Sequence, residues 1–533
     1  MIINDTKAIF TIDLFKKRPI LKFGVPVLMI VTAIVLLSMT SAFAVSSAES
    51  PGEGAPDIDW AKSFGGLDND MFTSVIAVSD GYVAVGYSYA DSFGEGDLAD
   101  LSAMGNNDAI IVKFDTSGNV QWVKSFGGAD DDYFFSVTAD SDGYVAVGRS
   151  DGGSYGTGNW VGVDRKGDYD AIAVKFDTDG NVMWAKNFGG DGYSSFYSVT
   201  AGGNGYVAVG FSSLLSYGTG DLAGVAGKGL DDAIMVKYDF DGSVIWAKNF
   251  GGDGDDSFFS VAADSTGYVA VGHSNSTSFG NGDWTGIAGK GGKDAIIVKY
   301  DFNGGRIWAK SFGGSGDDTF YSVTADSSGY VAAGVSAPLS FGSGDWAGFT
   351  AKGKNDATIV KFTKSGDVDW AKNFGGAGND FFNCVITDSS GYVAVGGSEA
   401  SSFGNDDWTG IAGKGGDDAV IVKFDTEGSV VWKKNIGGSS QDNFTSVAAY
   451  SSGYVAAGHS NIESFGNGDW IGVPVNGAVD STIVKLEVVP DEPDEPTEPG
   501  SPGSNTMVWV GIAAVVIILT VVAVFVMIRY KTP

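Results

Sequence analysis

The residues able to do chemistry in this chain come in columns, one member per copy of a 62-residue unit. One lysine column comprises Lys62, Lys124, Lys186, Lys248, Lys310, Lys372 and Lys434, and a second Lys113, Lys175, Lys237, Lys299, Lys361, Lys423 and Lys485. An aspartate column comprises Asp108, Asp170, Asp232, Asp294, Asp356, Asp418 and Asp480. A group needed once for a reaction has no reason to appear seven times. Such columns point to scaffold: ion pairs, or long stems laid over apolar surface with the charge in water. Catalytic sets are hard to assemble from what remains. The two histidines, His273 and His459, lie three copies apart without metal-ligand spacing. The acids are too numerous to single out the carboxylate pair a glycosidase needs. Arg149, Arg165 and Arg306 fall at different places in their copies. The expectation is a protein that is not an enzyme and has no cofactor.

Calcium is the one ion for which the residue types exist. Asp177 and Asp179, and Asp239 and Asp241, stand in D-x-D-G stretches, while Asp255 with Asp256, and Asp317 with Asp318, end F-G-G-x-x-D-D stretches. Calcium takes six to eight oxygens. The D-x-D-G stretches are too short to supply them unaided, and they also read as hairpin turns stabilised by Asp and Gly.

Two features look more like recognition. Trp160, Trp284, Trp346, Trp408 and Trp470 stand in a long S-F-G-x-G-D-W connection, with Leu98 and Leu222 in the two other copies. They could stack on sugar rings or plug the loop from beneath. The copies diverge most at the start of that connection, which reads Tyr87, Arg149, Phe211, His273, Val335, Gly397 and His459. Positions that differ among copies of one unit are free of scaffold duty, so this set is the first choice for a ligand patch.

The element that positions all of these is the stretch W-A-K-[SN]-F-G-G, whose tryptophans, Trp60, Trp122, Trp184, Trp246, Trp308, Trp370 and Trp432, are 62 residues apart without insertion or deletion. A fixed period of this order marks a propeller or array. Each copy contains four strand signals: F-x-S-V-x-A, G-Y-V-A-V-G, D-A-I-I-V-K-F and G-x-V-x-W-A-K-x-F-G-G. They are rich in Val, Ile, Phe and Tyr and bounded by Gly, Asp and Ser. The middle two are apolar almost throughout, as in a sheet covered on both faces. The expected fold is all-β, a seven-bladed β-propeller of four-stranded blades over residues 57–489. The first copy begins with a Trp strand that has no D-A-I-I-V-K partner, and the last ends on residues 480–489 without a Trp strand. The expectation is that the N-terminal Trp strand completes the last blade and closes the ring. Tight turns then lie on one face and long connections on the other, where binding usually sits.

The flanks predict a cellular address. Residues 1–44 read as a signal peptide, or an uncleaved anchor: Lys16, Lys17, Arg18 and Lys22, then an apolar run, then Ala42-Phe43-Ala44. Residues 45–56 are a short lead-in. Residues 490–506 are a Pro/acid-rich stalk. Residues 507–528 carry no charge and are long enough for a transmembrane helix, with Arg529 and Lys531 in a cytoplasmic tail. Between Val45 and Ile528 there are 63 acidic and 26 basic residues, a balance of −37. That excludes nucleic acid as a partner. Cys384 is the only cysteine and replaces a serine found in the other copies, so neither a disulfide nor a thiolate metal cluster is possible within the chain.

The stretch D-A-x-x-V-K-x-D-x-x-G-x-x-x-W-A-K-x-F-G-G…D-S-x-G-Y-V-A-V-G, most complete in residues 170–210 and 294–334, resembles the SBBP-type β-propeller repeat family of prokaryotic secreted and cell-surface proteins. The resemblance implies a propeller at the cell envelope and supplies no catalytic set. Its D-x-x-G-x-x-x-W element also resembles the tryptophan-docking turn of quinoprotein propellers. The reading that follows is a membrane-anchored extracellular propeller that binds a cell-surface protein or glycan through its long-loop face. A purely structural envelope protein is the alternative, and a propeller hydrolase or quinoprotein the third.

Overall fold

The structure is a computed structural model that describes residues 54–488. The signal segment, stalk, apolar stretch and tail expected at 1–44 and 490–533 lie outside the described residues. Among the described residues, no helix is long and apolar enough to cross a membrane.

Among the described residues twenty-eight strands form seven four-stranded antiparallel sheets, the blades, numbered one to seven in chain order of their innermost strands from Asp70–Val78 to Asp442–Tyr450. Blade four shows the unit: Asp256–Asp264 innermost, then Gly267–Asn275, Lys293–Asp301 and Arg306–Phe312. The innermost strands of successive blades pack against one another around the axis, and those of blades seven and one do so as well. The apolar middle strands are buried on both faces, as their composition requires.

Three devices knit neighbouring blades, and each uses a repeated residue. The first is a serine belt. Ser136, Ser198, Ser260, Ser322 and Ser446 Oγ accept the backbone N–H of Val199, Val261, Val323, Val385 and Val75 in the next blade at 3.0–3.3 Å. Cys384 occupies this column, its sulfur 4.0 Å from the Val447 carbonyl and its thiol pKa raised by burial. A thiol is a poor acceptor, so Cys384→Ser should restore a belt bond and raise stability by about 1 kcal/mol in urea denaturation. No change or a loss would show that the belt is not energetically coupled here.

The second device is tryptophan docking. Trp184 Nε1 donates to the Phe240 carbonyl at 3.0 Å, and its ring covers Gly242 in the next blade's turn. Gly242 has φ +77° and a Cβ there would meet Trp184 at 2.9 Å, so glycine is required twice over.

The third is a lysine–aspartate–tyrosine bridge on the short-turn face. Lys361, 3% exposed, pairs with Asp326 and donates to Tyr392 Oη of the next blade at 3.0 Å, while Tyr392 Oη donates to Asp326 at 2.6 Å. Lys299, Asp264 and Tyr330 repeat the arrangement. This lysine column is therefore scaffold, as its repetition implies.

Strand Asp57–Phe64 pairs antiparallel with Val479–Glu487, Ala61 opposite Val484 and Phe64 opposite Ser481, and is the outer strand of the last sheet. Its Trp60 docks on the turn of blade one, donating to the Thr116 carbonyl at 3.3 Å and covering Gly118.

Candidate functional site

Every blade carries a β-bulge near the start of its innermost strand, between Phe72 and Ser74 in blade one and at the same place in the other six. The bulge inserts one residue whose side chain escapes the repeat's packing rules. These residues are Thr73, Phe135, Tyr197, Phe259, Tyr321, Asn383 and Thr445. The divergent positions Tyr87, Arg149, Phe211, His273, Val335, Gly397 and His459 lie on the adjacent second strands. There they pair with Met71, Tyr133, Ser195, Ser257, Thr319, Phe381 and Asn443. Three sets that vary from copy to copy thus meet where innermost and second strands reach the long-loop face. The structure brings together what the sequence scatters over nearly 400 residues.

The walls of this mouth differ by sector. From blade two to blade five the bulge residues form a chain of rings: Phe135 to Tyr197 at 5.7 Å, Tyr197 to Phe259 at 5.3 Å, Phe259 to Tyr321 at 5.7 Å. In the remaining blades they are polar and spend their hydrogen bonds on the neighbouring blade. Asn383 Nδ2 donates to the Phe444 carbonyl at 2.9 Å, Thr445 Oγ1 to Phe72 at 2.8 Å, and Thr73 Oγ1 to Phe134 at 2.8 Å. The aromatic sector can take apolar or ring-bearing groups by stacking.

Arg149 is the cation of the mouth. Its guanidinium lies 4.8 Å from the ring centres of both Tyr133 and Tyr169, and Nε is 3.9 Å from Asp151. His273 packs on Phe259 at 5.3 Å. Burial, with a smaller contribution from Lys293, pushes its pKa down to about 4, and burial lowers that of His459. Both imidazoles are neutral at neutral pH, and Nδ1 of each is buried without a hydrogen-bond partner. Sequence reasoning found the Arg149 column but missed the bulge column. Its signal was present as the variable residue in F-x-S, where a single extra residue in one strand cannot be seen without the partner strand.

The tryptophan reading divides. Trp160, Trp284, Trp346, Trp408 and Trp470 are all 0% exposed, so they cannot stack on a ligand. The plug interpretation holds, and Leu98 and Leu222 are equally buried. The cause is a short turn, Gly282–Trp284 in blade four, which swings the ring inward onto Phe250 at 4.9 Å and Phe279 at 4.8 Å. Trp284 Nε1 donates to Ser274 Oγ at 3.0 Å.

Six of the eight calcium candidates have a carboxylate that accepts hydrogen bonds within its own loop or turn, and among the described residues none of the eight belongs to a group of three metal-capable side chains. Asp256 and Asp318 are fully buried. Asp256 accepts from Gly252 N at 2.9 Å and Ser278 Oγ at 2.7 Å, and Asp318 from Gly314 N and Ser340 Oγ at 2.8 Å each. Asp255 accepts from Asn275 at 2.8 Å and Asp317 from Lys293 N at 2.9 Å. Asp177 caps its turn through Asp179 N at 2.9 Å and Asn181 N at 2.8 Å; Asp239 does the same through Asp241 N at 3.0 Å and Ser243 N at 2.7 Å. Among the described residues, the group of three carboxylates close enough to share an ion is Asp130, Asp131 and Asp151, beside Arg149. Asn106 and Asn107 already donate to Asp130 and Asp131 at 3.0 Å each.

Thirteen carboxylates, the Asp108 column and the six-membered column containing Asp70, Asp132 and Asp256, are 0–1% exposed beneath the long loops. Burial raises the pKa of every one, to about 7 for Asp70 and about 6 for Asp108, Asp132 and Asp256. A carboxyl whose folded pKa exceeds its unfolded value of about 3.9 keeps its proton longer when folded, so stability falls as pH rises from about 4 to 7. His273 and His459 act in the opposite sense below pH 6.5 but are only two. Asp388 is lowered to about 2; burial opposes this, and the Lys423 and Tyr454 hydrogen bonds outweigh burial. Its contribution is full above about 3.9 and is lost as pH falls through 2. The expected outcome is a melting temperature at least about 3 °C higher at pH 5 than at pH 7.5, falling again below pH 4. A flat or rising profile from pH 5 to 7.5 would contradict it.

No family model matches this chain. It is 29% identical over 145 residues to Regulatory protein FlaEY of Caulobacter vibrioides, a match covering 26% of this chain and 15% of that protein. The chain thus spans a small part of the curated relative's length. Among solved structures it is similar to the WD40 β-propeller domain of Doa1, at 11% identity and a TM-score of 0.39, covering 84% of this chain and all of that one. Sqt1 from Chaetomium thermophilum matches at 13% identity and TM-score 0.37, covering 82% and 100%. A europium-containing methanol dehydrogenase matches at 10% identity and TM-score 0.37, covering 81% and 93%. The assignment of seven four-stranded blades rests on the strand pairing of this chain itself.

Proposed function

We propose that this chain is a binding module: an exported, membrane-tethered β-propeller of the SBBP type that engages a cell-surface protein or glycan through its long-loop face, without catalysing a reaction. The observation that carries the reading is where the copies differ. Seven units that share one blade core diverge in three adjoining sets at one mouth, where bulge, second-strand and first-strand residues change chemistry from blade to blade. A structural envelope protein with no dedicated ligand gives no reason for three variable sets to adjoin. Strand Asp57–Phe64 acts as the clasp of the ring. It also brings the two ends of the described chain together on the short-turn face, where Asp57 opposes Glu487.

The test is a glycan and protein array probed with the full-length chain in lipid nanodiscs, with and without calcium, beside the Arg149→Ala and Tyr197→Ala variants. The expected result is a ligand whose binding weakens at least tenfold in the variants. Ligands retained equally by both variants, or no ligand at all, would sink the proposal.

A further inference from the structure

Blade three departs from the other six at its long-loop tip. Tyr193, Leu214, Leu215 and Leu230 are 44%, 51%, 69% and 57% exposed. They belong to three separate segments and come together in space. Leu214 N–H donates to the Leu230 carbonyl at 2.6 Å, Ser213 N–H donates to the Tyr193 carbonyl at 2.8 Å, and the Tyr193 ring lies 4.6 Å from Tyr169 at the edge of the mouth. The other copies supply an internal control. Where blade three has Tyr193, they have Asn69, Asp131, Asp255, Asp317, Asn379 and Gln441. Where it has Leu230, they have Asn106, Asp168, Gly292, Lys354, Gly416 and Ala478. The Leu214-Leu215 pair is found in no other copy; blades five and seven each carry a single exposed apolar residue there, Leu339 and Ile462, and blade four has Ser276-Thr277. The fold therefore does not need apolar groups at these places. Four large exposed apolar side chains converging in one copy are not explained by blade packing, and they form a contiguous patch of the kind that marks an interaction site.

The surroundings select the occupant. Asp168, Asp191 and Asp253 are exposed around the patch, Asp231 follows Leu230 and bridges to Asp255, and Asp168 N–H donates to the Gly192 carbonyl at 3.2 Å. Of the nearby cations, Lys166 is engaged by Asp221, Lys228 by Asp283 at 2.6 Å and Arg149 by the two tyrosines, leaving Arg165. A second copy of this chain would bring one acidic rim against another, and an anionic lipid surface would be repelled in the same way. We infer that the Tyr193–Leu214–Leu215–Leu230 patch docks a cationic polypeptide segment carrying apolar side chains. This deepens the proposed function and rests on the long-loop face being the binding face.

The probe is a fluorescent amphipathic helical peptide of leucine and lysine, with a leucine–glutamate peptide of the same pattern as control, titrated by anisotropy into the full-length chain in neutral-lipid nanodiscs. The variant is Tyr193→Asn, Leu214→Ser, Leu215→Thr, Leu230→Gly, which installs uncharged residues that other blades already carry and should leave the melting temperature unchanged. The Leu/Lys peptide is expected to bind, to lose at least tenfold affinity in the variant and to weaken as salt rises from about 50 to 300 mM. The Leu/Glu peptide is expected not to bind. Equal binding to the variant, equal binding of the two peptides, or no binding of either overturns the inference; so does self-association of the chain that the variant abolishes. The two proposals fail separately. Array ligands that are lost in Arg149→Ala but kept by the blade-three variant would leave the mouth reading intact and remove the patch.

Discussion

Lys361→Met is expected to destabilise the propeller by about 3–5 kcal/mol, whereas Lys237→Met, the same substitution in the same column, is expected to stabilise it at pH 7. Lys361 is the countercharge of Asp326. Burial alone would raise the Asp326 pKa, but hydrogen bonds from Lys361 and Tyr392 outweigh it and hold the carboxyl far below its usual range. Removing the lysine leaves a largely buried carboxylate without its cation. Blade three lacks the acid. Its turn is Gly202-Gly203-Asn204-Gly205, with φ +56° and +61° at the two central residues, in place of the aspartate-capped turn. Lys237 Nζ finds only the Gly202 carbonyl and Tyr268 Oη, and is 1% exposed. Burial pushes its pKa down to about 8. A lysine whose folded pKa lies below its unfolded value of about 10.4 is a burden while charged, roughly 3 kcal/mol below pH 8, and the burden disappears as pH rises from 8 to 10.4. Lys237→Met should therefore raise stability by up to about 3 kcal/mol at pH 7 and by nearly nothing at pH 10.5. Chemical denaturation of both variants at the two pH values is the measurement. Two losses of equal size at pH 7 would mean that the bridge works by packing of the lysine stem and not by charge.

The second large effect concerns the seam. Phe64→Ala should cost about 3–5 kcal/mol, and a disulfide joining Ala61→Cys to Val484→Cys in a Cys384→Ser background should recover much of it. Phe64 is 0% exposed although it lies on the first described strand. It stacks on Phe72 at 5.4 Å and meets Phe114 edge-on at 6.2 Å, both in blade one, while its backbone pairs with blade seven. One side chain thus links the two blades at which an open array would part. Lys485 adds an ion pair to Asp59 at 2.8 Å, and Lys434 donates to the Pro56 carbonyl at 2.7 Å. The crosslink closes a loop of more than 400 residues, so it restricts the unfolded chain strongly. If it forms readily in the native protein and raises the melting temperature, the clasp is real. Failure of those cysteines to pair, or a Phe64→Ala variant as stable as the parent, would remove it.

Blade number, strand types and the pairing of first strand with last could be read from the sequence because a 62-residue period without insertions leaves few alternatives. The scaffold role of the second lysine column followed from repetition alone. What was not legible shares a cause. Trp284 and its counterparts looked like exposed loop residues because polarity along a chain does not reveal which way a three-residue turn points a ring. The calcium candidates stayed open in the sequence because a carboxylate that caps a loop and one that awaits a cation have the same spelling.

What the sequence determined by itself was the repeated architecture, since periodicity is a one-dimensional property and blade packing imposes it on every copy. What only the tertiary structure decided was the location of everything not repeated. Bulge residues such as Tyr197, second-strand residues such as Arg149, and the blade-three residues Tyr193, Leu214 and Leu230 are separated in the chain and adjacent in the ring. Each is set by sheet register and by contacts between blades, and such distances exist only once the strands have paired.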